Sequence, residues 1–226
     1  MHASRDKTAY NPAMIKTYVR QIKLRRWFPP HDRFAACVAR LCILREDLFL
    51  EMAGIYASRI KTLDSHSVVW RRMYFWRHLV KTVGEIRQTI DTLNGVPEFR
   101  RVFKKQPTEW RKKFDSMVKK LAQERLLVKE MRDSLGGHVL HKTVEQALND
   151  MPMDKFGDLE LGRKAKNTHY RFAGEIVVEM LIAGVPEAQQ EAEVKRRFQA
   201  VADLLPVFEL ADIILTMYAG ARKLVD

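Results

Sequence analysis

The chain has 226 residues, of which 46% are hydrophobic and 30% are charged. These proportions are ordinary for a globular protein and argue against a disordered chain. No apolar run reaches the roughly 18 residues of a membrane span, the first residues lack the apolar core of a signal peptide, and two cysteines cannot form a disulfide framework. We therefore expect a protein of a reducing compartment, located in the cytoplasm.

The charge of the chain is strongly positive and unevenly distributed. Forty Lys and Arg residues against 28 Asp and Glu residues give a net charge of +12. The first 134 residues carry +15, whereas residues 135–226 carry −3. Such asymmetry is typical of a protein that binds an anionic partner, most often a nucleic acid. The alternative is that these charges only keep solvated helix faces soluble.

The first third of the chain predicts a basic lead-in followed by a long helix. Apolar side chains recur at helical spacing within residues 1–28, and Pro29-Pro30 end that segment. Asp32 is a suitable N-cap for the next helix, which the apolar spacing places over residues 33–60. Arg45 interrupts this apolar seam and is followed by two acidic residues. We expect it to form a buried or interface ion pair, or else to face the cleft of a functional site.

Two more long helices, with a short basic helix between them, are predicted next. A helix over residues 67–94 ends at Asn94-Gly95, and a short helix begins at Pro97. Thr108 is expected to cap a third long helix over residues 109–135, which two glycines end. The outer face of this third helix is strongly basic and carries Arg111, Lys112, Lys113, Lys119, Lys120 and Lys129.

The last third of the chain predicts further helices and one irregular stretch. A helix over residues 139–149 is followed by the sequence FGDLEL at residues 156–161, which is compatible with a short strand. Thr168 is expected to cap the next helix. The last helix spans residues 187–223, and Pro206 is expected to kink it or to divide it in two.

Long helices joined by short connections predict an all-α protein, namely an antiparallel helical bundle with additional C-terminal helices. We expect three parts. Residues 1–30 form the basic helical lead-in, residues 31–150 form the bundle, and residues 151–226 form C-terminal helices packed on the bundle.

A short motif lies at the end of the third long helix. Arg132 is in its last turn, Asp133 follows directly, and His138 comes after five intervening residues. This arrangement resembles the R-x(4–6)-H signature of the HEPN superfamily, helical-bundle proteins that include many toxin and defence ribonucleases. The resemblance covers the bundle from about residue 33 to residue 150. It implies a metal-independent endoribonuclease that acts as a homodimer, with the site formed where two protomers meet, and with a protein antitoxin as a further partner.

The residue types of this motif suit metal-free cleavage of RNA. In that reaction the 2′-hydroxyl group, which only RNA has, attacks the neighbouring phosphate. A histidine can transfer the proton because its pKa lies near neutral pH, and an arginine can hold the phosphate with two hydrogen bonds. The resemblance implies that His138 is the general acid or base, that Arg132 contacts the phosphate, and that Asp133 is the polar orienter.

Each of these three residues also has a purely structural interpretation. Arg132 can favour the dipole at the C-terminal end of its helix without any further role. His138 can cap exposed carbonyl groups after the two glycines. Asp133 can pair with Lys129, which lies four residues earlier on the same helix.

Other candidate sites in the sequence are weaker. His138, His141 and Glu145 share a helical face at a spacing that resembles metal ligands, but no fourth ligand is evident. Cys37 and Cys42 lack metal-ligand spacing and are expected in the core. We therefore expect no metal site and no cofactor.

Aromatic and cationic residues alternate near the start of the second long helix. Such a cluster could stack bases and contact phosphates. Alternatively, one of its faces could pack in the core while the other face shields the core from solvent. Its members are Trp70, Arg71, Arg72, Tyr74, Phe75, Trp76, Arg77 and His78.

These observations predict an RNA-binding protein, with RNA cleavage as the activity that the motif implies. We expect the RNA to contact Lys112, Lys113, Lys119 and Lys120 on the third long helix. The alternative is a non-enzymatic helical module that binds nucleic acid or an acidic protein through the same surface. A third alternative is a structural protein whose role is dimerisation. No membrane partner is expected.

Overall fold

The structure is a computed structural model that describes residues 21–56, 65–134, 140–159, 161, 170 and 172–224. This part of the chain is all-α, and no strand occurs in it. The helices are α1 (Leu24–Trp27), α2 (Arg33–Tyr56), α3 (Ser65–Asn94), α4 (Pro97–Lys104), α5 (Thr108–Gln123), α6 (Arg125–Ser134), α7 (His141–Asp150), α8 (Phe172–Ile182), α9 (Glu187–Leu204) and α10 (Val207–Ala221). Within the described ranges, no helix has the length and apolar composition needed to cross a membrane.

The antiparallel pair of α2 and α3 is the centre of the bundle. It forms the most extensive helix–helix contact among the described elements. The apolar seams that the sequence predicts are buried between these helices and their neighbours, and each large aliphatic side chain buried there stabilises the fold by about 1.5–3 kcal/mol. The seam residues less than 3% exposed are Phe34, Val38, Leu41, Leu48, Leu79, Val83, Ile86, Ile90 and Leu93.

The start of α2 is fixed by Asp32, as the sequence predicts. The backbone N–H of Ala35 donates a hydrogen bond to Asp32 Oδ1 at 2.9 Å, which satisfies one of the unpaired donors of the first turn. Asp32 also accepts a hydrogen bond from Arg222, which follows α10, and Arg222 lies 3.0 Å from a carboxylate oxygen of Glu98 on α4. One arginine thus connects the starts of α2 and α4 with the end of α10.

The third long helix is divided, which the sequence analysis missed. The predicted helix over residues 109–135 is two helices, α5 and α6, which meet at Glu124. Thr108 is the first residue of α5 rather than its cap, and its hydroxyl accepts a hydrogen bond from Arg111 at 3.2 Å. The two helices have different neighbours, because α5 packs on α10, α3 and α9 whereas α6 packs mainly on α3.

The C-terminal helices cover the bundle from another side. Pro206 divides the predicted helix over residues 187–223 into α9 and α10, and Gly184 ends α8 with a positive φ of 74°. The described residues of the segment FGDLEL form no strand. The expected cap, Thr168, lies outside the described residues.

Polar contacts join α10 and α9 to the earlier helices. Arg45 Nε donates to Asp212 Oδ1 on α10 at 2.6 Å, and the guanidinium lies 4.4 Å from the ring centre of Phe208, so Arg45 forms the predicted ion pair between two helices, but the pair is exposed rather than buried. Arg197 of α9, which is 7% exposed, donates to Glu130 on α6 at 2.8 Å. Both contacts position the C-terminal helices on α2 and α6.

Candidate functional site

Arg132 and Asp133 lie in the last turn of α6 and contact each other. Nε and Nη2 of Arg132 donate to Asp133 Oδ1 at 2.9 and 2.6 Å. Lys129 Nζ lies 3.6 Å from the other carboxylate oxygen of Asp133. Asp133 therefore holds the guanidinium of Arg132 in one orientation, and it also makes the looser contact with Lys129 that the structural interpretation predicts.

The side chain of Arg132 runs across α3 at a glycine. A Cβ atom at Gly84 would lie 3.1 Å from Arg132 Cδ, which is tighter than most real contacts of this type. Gly84 is buried in the middle of α3, where glycine is otherwise unfavourable for a helix. The absence of a side chain at this position gives the arginine its path along the helix.

The side chain of Arg132 lines a cleft of about 590 Å³. Among the described cationic side chains, Arg40 of α2 and Lys81 of α3 line the cleft together with Arg132. Glu85 lies 3.5 Å from Arg40 and 4.0 Å from Lys81, so both contacts are long for ion pairs. The remaining lining residues are Gln88, Asp133 and Leu140.

His138 lies outside the described residues, in the segment 135–139. The structure therefore contains two of the three predicted catalytic residues, Arg132 and Asp133, and it places them together in the cleft. Leu140, which follows that segment, lines the same cleft.

A second pocket, of about 340 Å³, adjoins the cleft along α2 and α3. The two share Lys81 and Glu85 in their walls. Glu51 of α2 lines this second pocket, and its Oε1 accepts a hydrogen bond from the Thr82 hydroxyl at 2.8 Å. Its Oε2 is shielded from solvent and has no hydrogen-bond donor among the described residues.

Burial raises the pKa of Glu51 to about 7, the hydrogen bond from Thr82 lowers it in part, and the carboxylate of Asp47 raises it further. His78 lines the same pocket, and burial lowers its pKa, as do the charges of Arg77 and Lys81. Sequence analysis did not single out Glu51, and it included His78 only within the aromatic and cationic cluster. No local motif marks these two positions, because their shifted pKa values arise from the packing of α2 on α3.

The four lysines that the sequence assigns to RNA binding are exposed on α5. Lys113 forms an ion pair with Glu209 of α10. Lys112, Lys119 and Lys120 have no ion-pair partner among the described residues. Three of the four are therefore available to an anionic ligand.

In the aromatic and cationic cluster, Trp76 is part of the core and Trp70 packs against it, whereas the other members are half-buried or exposed. Trp76 is 6% exposed, and its ring centre lies 4.5 Å from that of Phe198 on α9. Phe75 packs closely against the backbone at Gly54. Tyr74 is 46% exposed, which leaves it as the most accessible of the four rings in this cluster.

The remaining candidate sites from the sequence are the possible metal ligands around His141 and the two cysteines. His141 Nε2 lies 3.1 Å from Glu145 Oε1, and both side chains are exposed. In the described part of the chain, no group of three potential ligands is placed to hold a metal ion. Cys37 is buried and Cys42 half-buried, and burial raises the pKa of both thiols, as expected of core cysteines.

A comparison of the chain with models of protein families, with curated proteins and with solved structures finds no match. The HEPN resemblance therefore rests on the motif at Arg132, Asp133 and His138 and on the all-α architecture.

Proposed function

We propose that this chain binds RNA and that the cleft between α2, α3 and α6 holds a phosphate of the RNA backbone. The observation that carries the proposal is the convergence of Arg40, Lys81 and Arg132 on one cleft from three different helices. A guanidinium group binds two phosphate oxygens at once, and an ammonium group adds a point charge. The long contacts of Glu85 with Arg40 and Lys81 leave these two cations free to turn towards a phosphate.

Further exposed cations on α4 and α5 support RNA rather than a small anion as the ligand. Lys112, Lys119 and Lys120 are exposed on α5. The adjoining helix α4 and the residue after it add four exposed cations. A chain of phosphates can contact such an extended surface, whereas a single small anion uses only one site. The four additional cations are Arg100, Arg101, Lys104 and Lys105.

We further propose that the protein is a metal-independent endoribonuclease of the HEPN type, acting in defence or as a toxin. The contact between Asp133 and Arg132 supports this activity, because a guanidinium held in one orientation can stabilise charge that develops on the phosphate. His138 is proposed as the general acid or base. As the resemblance implies, two copies of the chain would form the complete site, and an antitoxin protein would be a further partner.

Anisotropy of a labelled, unstructured RNA oligonucleotide, measured over a series of salt concentrations, tests the binding proposal. Wild-type protein is expected to bind at low salt and to lose affinity steeply as salt rises. Arg132→Gln removes one phosphate contact and is expected to reduce the slope of log affinity against log salt by about 0.7. Reversal of the four α5 lysines to Glu is expected to weaken binding more strongly.

The matched control is Lys195→Glu, which reverses an exposed lysine of α9 that pairs with Glu191. It is expected to change RNA binding little. A wild-type protein that does not bind RNA at low salt would contradict the proposal. Binding without cleavage would instead favour the alternative, a non-enzymatic module.

A further inference from the structure

The pocket beside the phosphate cleft has one aromatic wall and one acidic wall. On the α3 side, the ring centres of Tyr74 and His78 lie 4.5 Å apart. On the α2 side, Asp47 and Glu51 are four residues apart and therefore lie on the same face of the helix. A flat ring can stack on the first wall while its polar edge meets the second.

The acidic wall offers hydrogen-bond acceptors that the protein leaves unused. Oε2 of Glu51 has no donor, and Asp47 makes no hydrogen bond or ion pair with the described residues. Oε2 of Glu51 is shielded from solvent and its Oε1 is bonded to Thr82, so the exposed carboxylate of Asp47 is the one that a ligand in the pocket can reach. Lys81, at 4.0 Å from Glu85, adds one loosely held donor at the mouth.

We propose that this pocket binds a guanine base of the RNA whose phosphate lies in the neighbouring cleft. The inference rests on the proposed function. The Watson–Crick edge of guanine presents two adjacent donors, N1–H and N2–H, beside the acceptor O6. The two donors match the carboxylate of Asp47, and O6 matches the ammonium group of Lys81.

The other three bases match these groups less well. Adenine and cytosine each present a ring-nitrogen acceptor next to their amino group, and this acceptor would face an ionised carboxylate. Uracil presents a single donor between two carbonyl acceptors. Guanine alone therefore satisfies two carboxylate oxygens without a repulsive contact.

The positions of the two sites along α3 fit one piece of RNA. His78 of the pocket and Gly84, where Arg132 crosses, are six residues apart. This separation corresponds to about 9 Å along the helix axis. A phosphate in the cleft and a base in the pocket can therefore belong to the same or to adjacent nucleotides.

Anisotropy with four labelled oligouridines of equal length tests the inference. One is all uridine, and the other three carry a single central guanosine, adenosine or cytidine. Wild-type protein is expected to bind the guanosine oligonucleotide roughly 10-fold more tightly than the others. Asp47→Asn replaces one carboxylate acceptor by a donor, so it is expected to lose the guanosine preference and to bind the adenosine oligonucleotide relatively better.

Glu46→Gln is the matched control, because Glu46 is an exposed residue of α2 that does not line the pocket. It is expected to keep the preference for guanosine. Equal binding of all four oligonucleotides by the wild type would overturn the inference and leave the proposed RNA binding intact. Retention of the preference by Asp47→Asn would also overturn it. Failure to bind any of them at low salt would overturn both proposals.

Discussion

Arg132 crosses α3 at Gly84, where no side chain stands in the path to its cleft. The two residues belong to different helices, and a Cβ atom at Gly84 would lie 3.1 Å from Arg132 Cδ. The aliphatic part of the arginine therefore lies on the backbone of α3, while Asp133 holds its guanidinium. A change at a buried glycine can thus alter the position of a charged group without altering the charge.

Gly84→Ala is expected to lower the cleavage rate roughly 10-fold, because Arg132 must move by a few tenths of an ångström. The free energy of unfolding should change by less than about 1 kcal/mol, since the gain in helix propensity offsets the tighter contact. Single-turnover cleavage and urea denaturation measure the two effects. Gly220→Ala is the control, since a Cβ atom there meets nothing within 4 Å. Equal rates for both variants would contradict the proposed role of Arg132.

Cleavage of RNA is expected to persist in a metal chelator and to produce a cyclic phosphate. DNA and 2′-O-methyl RNA should stay intact, because the attacking hydroxyl is absent. His138→Ala is expected to slow the reaction by roughly 10²–10⁴-fold, Arg132→Ala by a similar factor, and Asp133→Ala by less, because an orienting residue has substitutes. A single-turnover assay with the three variants measures these effects. Unchanged activity of both His138→Ala and Arg132→Ala would show that the motif is not catalytic.

Glu51 is expected to make the protein less stable as the pH rises from about 4.5 to about 7. In this range folded Glu51 keeps its proton, since its pKa is raised to about 7, whereas the unfolded chain releases it near pH 4.5. The unfolded state therefore binds fewer protons, and the free energy of unfolding falls with pH. The cost of ionisation in the fold should reach about 1–3 kcal/mol above pH 7, after allowance for solvent screening.

Urea denaturation of the wild type and of Glu51→Gln tests this expectation at pH 5, near the lower end of the titration range (about 4.5–7), and at pH 8, above it. The groups around Glu51 are Asp47 on its own helix and His78, Lys81, Thr82 and Glu85 on α3. These groups are the same in both proteins, so the difference between them isolates Glu51. His78 acts in the opposite direction, because its lowered pKa makes stability rise with pH up to 6.5. A variant that shows the same pH dependence as the wild type would contradict the assignment.

Arg197→Leu is expected to lower the free energy of unfolding by about 1.5–3 kcal/mol. Arg197 is buried and donates to Glu130 and Glu193, so its removal leaves α9 without its polar contact to α6. Glu193 keeps its hydrogen bonds from Arg196, which limits the loss. Lys195→Ala, which removes an exposed pair on the same helix, should cost less than about 0.5 kcal/mol. Chemical denaturation of both variants provides the comparison.

The protein is expected to be a homodimer, and light scattering of the purified chain measures this directly. A two-fold arrangement would bring the same surface of both copies together. A monomer at the concentrations of the cleavage assay would remove the model of a shared cleft, though not the binding of RNA.

The helices of the bundle follow from the apolar periodicity, because burial of one stripe per helix is a local property of the sequence. The division of the third long helix at Glu124 could not be predicted in this way. The apolar stripe continues through the break, and the difference between α5 and α6 lies in the helices that they contact. The burial of Glu51 could not be predicted from the sequence either. Glu51 stands next to the seam residue Met52, and its burial depends on where α3 crosses α2.

The ties between α10 and the N-terminal part of the bundle have a consequence for synthesis on the ribosome. Phe34, at the start of α2, packs edge-on against Tyr218 of α10, with 5.0 Å between ring centres, and Arg222 binds Asp32 and Glu98. Until α10 has left the exit tunnel, the apolar ends of α2 and α4 remain uncovered. A nascent chain that still lacks α10 therefore exposes part of its core, and in that state it is prone to aggregation.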